Sequence, residues 1–301
     1  MNPRVFFYKD YYTSSIPGQR PGSSETFDLK KPVNKGEFKS VKKYNAPIIA
    51  AANRQLEKFE LARADYNSLK LDIAPDIITK TTTYPGLLIG TGYTHQSDNE
   101  GEYKLGFYFD YTCGIPCIPG SSVKGTLRSV FPQLGPHPCK LPRNEDRSLK
   151  LSSLQQSKTE FIAGLLGWNT ADLESCTLKV HQLELVLFEG VDLERSQQPE
   201  QAPEYLSVYK RCIFHHAFIS RAPGNTLFAT DTITPHNENP LKDPTPLNFL
   251  KIKPGVEFSF QLVLRAIPAL GLDKDAIKNL FSSILDTTGI GAKTNVGYGQ
   301  F

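Results

Sequence analysis

The sequence lacks the features that would place it in several large classes. It has only five cysteines in 301 residues (Cys113, Cys117, Cys139, Cys176 and Cys212). Their odd number and scatter argue against a disulfide framework and for a reducing cytoplasm. No apolar run approaches the ~18–20 residues of a membrane span. The opening MNPRVFFYKDYY lacks the long apolar region of a secretory signal. Net charge is only +3, so the chain as a whole is not a polycation. No stretch gathers the carboxylates that a metal nuclease needs.

A hydrophobic content of 39% is enough for a real core, in one large domain or two small ones. The charge is uneven. Residues 1–46 carry nine Lys/Arg and four Asp/Glu, a local charge of +5 (9 − 4), among Tyr, Ser, Gly and Pro. Such an arm suits nucleic acid or an acidic partner, and equally a solvated tail.

Periodicity predicts a helix over 46–70, with Leu56, Phe59, Ala62, Tyr66 and Leu69 on one face. Residues 85–93 (PGLLIGTGY) read as a buried strand running into a tight loop, and 104–111 (KLGFYFDY) as a strand. Residues 132–150 read as a proline-rich loop and 157–168 as a helix. LKVHQLELVLF (178–188) reads as a strand whose phase slips near His181 and Gln182, as at a bulge. Residues 189–204 read as a polar linker, 211–220 as a strand, and 221–250 as a long irregular loop. VEFSFQLVL (256–264) alternates strictly, and DKDAIKNLFSSIL (273–285) is an amphipathic helix. With a short terminal strand after the glycines, this end of the chain reads as a βαβ-type half of an α+β domain.

Two segments carry chemistry. TGIGAKTNVGYGQF (288–301) holds four glycines with Lys293, Asn295 and Tyr298. It is not a Walker loop, because Ala292 separates Gly291 from Lys293 and too few residues follow for a helix. Its glycines permit positive φ and close backbone approach. Lys293 suits a phosphate, Asn295 a phosphate or sugar, and Tyr298 a base. IPGSSVKGTLRSVF (118–131) is the second segment. Ser121 or Ser122 can cap a helix there, and Lys124 and Arg128 share a face at i,i+4. Hydroxyls, cations and the positive helix end together make a seat for a polyanion. The candidates for holding a polyanion such as RNA are Ser121, Ser122, Lys124, Arg128, Gly291, Lys293, Asn295 and Tyr298; the alternatives are a glycine-rich hairpin with Lys293 solvated and a capped surface helix with ordinary solvated basics.

IPGSSVKGTLR and the terminal GIGAKTNVGYGQF resemble the paired signatures of the RAMP superfamily of CRISPR proteins. DTITPHNENPLKDPTPLNFL (231–250) and the GYGxF ending resemble the sixth subunit of the type III-B (Cmr) effector complex within it. The resemblance runs from about Leu87 to Phe301, with three motifs in order. One position departs: where the family has a strand like FFDAF, this chain has FHHAF, with His216 in place of the acid.

The resemblance implies an α+β, ferredoxin-like (RRM-related) RAMP fold over 47–301, with insertions at about 132–156 and 221–250. It implies a non-catalytic RNA-binding subunit that caps the effector filament near the 3′ end of the guide. The implied partners are guide (CRISPR) RNA, target RNA within the complex and other Cmr subunits. Among these are the repeated backbone RAMP subunit, to which cutting is assigned, and the first subunit. No catalytic residue, metal or cofactor is expected, and no membrane contact.

Other chemistry competes with this assignment. His215 and His216 suit a metal-independent guide-processing endoribonuclease. Adjacent strand residues point to opposite faces, so at most one reaches a site. Cys113, Cys117, His137 and Cys139 can be written as a zinc set, but without the usual spacing. A nucleotide-binding enzyme is the third class. Asp231 and His236 read as loop structure or a subunit contact.

Overall fold

The computed structural model describes residues 2–7, 11, 46–47, 49–61, 74–92, 101–234 and 246–301. Its strands are β1 (Asp76–Thr81), β2 (Cys117–Ile118), β3 (Ile213–Arg221), β4 (Phe228–Ile233), β5 (Leu247–Ile252) and β6 (Glu257–Val263). Its longer helices are α1 (Gly120–Ser129), α2 (Ser153–Leu166), α3 (Leu173–Glu184) and α4 (Lys274–Thr288).

The strictly alternating stretch forms the sheet's interior. Val256, Phe258, Phe260, Leu262 and Leu264 are each at most 1% exposed. β6 pairs with β1 on one side and β3 on the other, giving an antiparallel order β1-β6-β3-β2. α4 follows β6 as its periodicity requires. Asp273 caps it by accepting the Ala276 N–H at 2.7 Å, and Ile277, Leu280, Phe281, Ile284 and Leu285 are buried. Four rings knit α4 to β3 and to the segment after α3. Phe188 lies 5.2 Å from Phe131, 5.7 Å from Phe214 and 6.1 Å from Phe281. The α+β class holds, with antiparallel sheets.

Several sequence expectations are corrected. LKVHQLELVLF is helical: it lies in α3 and a π-helical turn, Leu185–Glu189. Val180, Leu183 and Leu187 are buried at spacings of three and four, so the slip in alternation is the helical period. Asp172 caps α3 and Gly190 ends the turn at φ 74°. The helix predicted over 46–70 stops at Glu57; Phe59 lies past its end, and 62–70 lie outside the described residues. Residues 85–92 and 104–111 form isolated bridges in place of continuous strands, such as Leu87 with Ile252 and Phe109 with Pro116. Positive φ at Gly86, Gly90 and Gly92 prevents a continuous strand in the first of them.

The irregular loop expected over 221–250 instead supplies a second sheet. β4 and β5 pair antiparallel, from Phe228 opposite Ile252 to Ile233 opposite Leu247. After α4 there is no terminal strand. The chain turns through a 3₁₀ segment, Thr294–Val296, so the βαβ-type half is not formed.

The arm expected over 1–46 begins inside the core. Phe6, Phe7 and Tyr11 are at most 5% exposed. Phe7 lies 5.6 Å from Phe109 and 6.4 Å from Tyr103, ring centre to ring centre. The rest of the arm, with its basic residues after Arg4, lies outside the described residues.

Phe281 is fully buried against Phe188 and Phe214. Phe281→Ala should therefore lower unfolding free energy by about 3–5 kcal/mol. Leu154→Ala, at a site 63% exposed, should change it by less than about 0.5 kcal/mol. Denaturant midpoints with unchanged slopes check both.

Candidate nucleic-acid interface

The glycine-rich tail lies along residues 83–90. Its backbone bonds run from Ala292 N–H to Leu88 O (2.8 Å), Gly299 N–H to Gly86 O (2.8 Å) and Thr83 N–H to Gln300 O (3.0 Å). The tail also closes on itself, Ile290 N–H donating to Gly299 O at 2.9 Å. Glycine is required for this seating. At Gly291 (φ 99°) a Cβ would stand 2.2 Å from Leu88 O, and at Gly299 (φ 70°) 1.9 Å from Ile290 O. The glycines expected to admit a ligand serve first to admit the chain's own backbone.

That seating brings the two sequence segments together. Leu87, Gly90 and Thr91 from the first loop, Ser122, Gly125 and Thr126 from α1, and Gly291 and Ala292 from the tail line one groove of about 390 Å³. Nothing lies within 4 Å of where a Cβ on Gly125 would stand, so the helix face is open there. Gly90 and Thr91 are not among the candidates read from the sequence. The glycine spacing of PGLLIGTG is the signal that points to them.

α1 begins at the groove differently than expected. Its N-cap is Pro119, with no side-chain cap, so Ser121 and Ser122 stand in the first turn instead. Ser121 is exposed and Ser122 half-buried. First-turn N–H groups have no intrahelical acceptor. One of them, Gly120 N–H, donates to His216 Nδ1 at 2.9 Å. An acceptor is what this position needs, and the family's acid would serve as well as a histidine. His215 has a buried Nε2 without a partner among the described residues. Burial, then the neighbouring His216, push its pKa down.

The cations divide. Lys124 and Lys293 make no ion pair among the described residues, and Lys293 holds a left-handed backbone at φ 60°. Arg128 is not the second half of a cation pair facing a ligand. Its guanidinium bonds Glu184 and Glu189. Glu184 is 1% exposed and also accepts the Gln133 N–H at 2.9 Å. Burial raises the Glu184 pKa, opposed by the Gln133 and Arg128 bonds. Arg128 thus fastens α1 to the end of α3.

Tyr298 is a second correction. It is 7% exposed, its ring packed with Leu88 and Phe249, so it cannot stack on a base. Its hydroxyl donates to Asp231 Oδ2 at 2.7 Å, and Lys251 bonds the same oxygen. Burial raises the Asp231 pKa, but the bonds from Lys251 and Tyr298 outweigh it and hold the carboxyl below its ordinary range. Burial, then Asp231, push the Tyr298 phenol up. Asn295 is exposed on the turn beyond Lys293.

The remaining candidates disperse. Cys113 Sγ donates to Asp110, Cys139 Sγ to Ser196 O, and Cys117 is buried in β2. All five cysteines are free thiols. Among the described residues no three His, Cys, Asp or Glu side chains stand close enough to hold a metal. His236 lies outside the described residues.

These contacts make Arg128 the costlier of the two α1 cations to remove. Arg128→Ala should destabilise the fold by about 1–3 kcal/mol, because it strands a buried carboxylate. Lys124→Ala should cost less than about 0.5 kcal/mol. Denaturation of the two variants separates them. Asp231→Asn should lower the melting temperature at neutral pH. The folded pKa of Asp231 lies below its unfolded value, so the carboxylate's contribution is present above pH ~4. It fades as pH falls through the folded value, and the two proteins should then converge.

Comparison with known proteins gives the frame. A chain of the type III-B Cmr-beta complex bound to cognate target RNA aligns at 21% identity and a TM-score of 0.44, over 91% of this chain and 76% of its own. Cmr6 from Pyrococcus furiosus aligns at 18% identity and 0.38, over 74% of this chain and 96% of its own. A chain of the type III-A Csm–crRNA–target RNA ternary complex aligns at 13% identity and 0.30, over 66% and 54%. A search of curated proteins found no match. Residues 80–301, which hold both glycine-rich segments and the groove between them, match the family of RAMPs, and the chain belongs to the RAMP superfamily.

Proposed function

We propose that this protein is a non-catalytic, RNA-binding subunit of a type III-B CRISPR (Cmr) effector complex. It caps the filament near the 3′ end of the guide RNA, in the cytoplasm, beside the repeated backbone subunit and the first subunit. The observation that carries the reading is the groove. Two glycine-rich segments far apart in the chain, at Ser122 and Gly291, line one opening together with a third glycine-bearing loop. Family membership supports RNA as the occupant. So does the order of the three motifs resembling the sixth Cmr subunit.

The groove's chemistry fits a backbone ligand. Lys124 and Lys293, next in the chain to the lining residues Gly125 and Ala292, are cations without ion-pair partners among the described residues. Ser122, Thr126 and Thr91 offer hydroxyls, and the α1 N-terminus adds its dipole. These groups grip phosphate and sugar without reading base edges. No helix of the described residues is long and apolar enough to cross a membrane.

The competing endoribonuclease reading needs a histidine within reach of RNA. His216 Nδ1 accepts from Gly120 N–H, and the unpartnered Nε2 of His215 is buried. Both observations favour a non-catalytic role. His215→Ala and His216→Asp should leave RNA cutting by the assembled complex intact. Loss of cutting with assembly preserved would favour the endoribonuclease.

Co-purification with the products of neighbouring genes, followed by sequencing of bound RNA, tests the reading directly. In the complex, Lys124→Ala with Lys293→Ala should weaken guide retention alike for all guide sequences. The slope of log affinity against log salt should become shallower by about 1–2. A double variant that holds guide like wild type at raised salt would remove this groove from the RNA path.

A further inference from the structure

Tyr298 is buried and Phe301 packs edge-on against Phe260, so neither ring of the tail is offered to a base, yet an exposed ring stands beside it. Tyr84 is 86% exposed, in the turn Thr83–Gly86. That turn is fastened to the tail at both ends. Thr83 N–H donates to Gln300 O at 3.0 Å, Gly86 O accepts Gly299 N–H at 2.8 Å, and Gly86 N–H closes the turn on Thr83 O at 2.7 Å. A Cβ on Gly297 would lie 3.5 Å from Pro85 Cδ, so the end of the 3₁₀ turn rests against the next residue along. That 3₁₀ turn exposes Asn295 and Val296, the latter 64%. The groove-lining Leu87 follows closely after Tyr84 in the chain.

We propose that Tyr84 stacks on a base of single-stranded RNA whose backbone runs along the glycine-rich tail. This rests on the RNA-binding reading above. The backbone that carries the ring is already ordered by the turn, so capture of a base costs little beyond the ring's own rotamer freedom. Stacking is indifferent to base identity, since every base has a π face. Lys293 and Asn295, on the same tail, meet the phosphate and sugar of the nucleotides beside it.

The test uses full-length protein, a fluorescein-labelled oligoadenylate of about ten nucleotides, within the range of single-strand site sizes, and an abasic ribose-phosphate oligomer of equal length. Tyr84→Ala should weaken oligoadenylate binding about tenfold and leave the abasic oligomer unaffected. Tyr84→Phe should bind like wild type, because the ring and not the hydroxyl stacks. Melting temperatures of both variants should match wild type, as an exposed ring carries little of the fold. Equal oligoadenylate binding by wild type and Tyr84→Ala would overturn the proposal. So would an equal loss for the abasic oligomer, or a loss confined to capture of a partner subunit. Wild-type protein that holds no RNA at all would instead sink the RNA-binding reading itself.

Discussion

Direct contact between two stretches of backbone decides the rest of this structure. The tail sits close on the loop after β1, because the carbonyl of Leu88 occupies the space where a Cβ of Gly291 would stand, and it folds on itself because Ile290 O does the same at Gly299. α4 delivers the tail to that place, and its burial against Phe188 and Phe214 fixes the delivery. The groove exists because its floor is thin. A side chain at Gly291 would push the tail off Leu88, and one at Gly299 would open the tail's own closure on Ile290.

Around that floor, like residues have unlike fates. Lys124 and Arg128 are one turn apart on α1, yet Lys124 makes no ion pair among the described residues while Arg128 bridges Glu184 and Glu189. The difference lies in α3, whose Glu184 is buried and demands a cation. Tyr298 is governed similarly. Asp231 on β4 and Lys251 on β5 form an acceptor and a cation beneath the tail, and the tyrosine hydroxyl completes them. One member of each expected RNA-binding set is thus part of the frame that holds the other in place.

Legibility follows the range of the interaction. β6 and α4 are readable because burial imposes strict periods of 2 and 3.6 on local sequence. α3 reads wrongly as a strand because Val180, Leu183 and Leu187 also fit alternation with one slip, and its cap at Asp172 stands well before that stretch. β1, DIITKT, mixes faces and carries no alternation to find. Its partners lie far along the chain, Leu262 opposite Asp76 and Glu257 opposite Thr81, so the sheet sets that register and no local pattern announces it. The two glycine-rich segments that line the groove are visible in the sequence, since backbone approach leaves its mark in composition. Which cation pairs, and which ring is buried, depends on Glu184 and Asp231. Neither adjoins in sequence the residue it captures.

The division of labour bears on what the groove can recognise. Its lining is glycine backbone, aliphatic side chains and three hydroxyls, with Lys124 and Lys293 next to lining residues in the chain. No side chain in that set presents the paired donor and acceptor with which amide, guanidinium or carboxylate groups read a base edge. Such a surface holds any sequence with similar strength, provided the strand has phosphates at the right spacing. A subunit in the proposed role, which must accept a different guide each time, needs this indifference. The constraint that made the groove, glycine where a side chain would otherwise stand, is also what keeps base-reading side chains out of it.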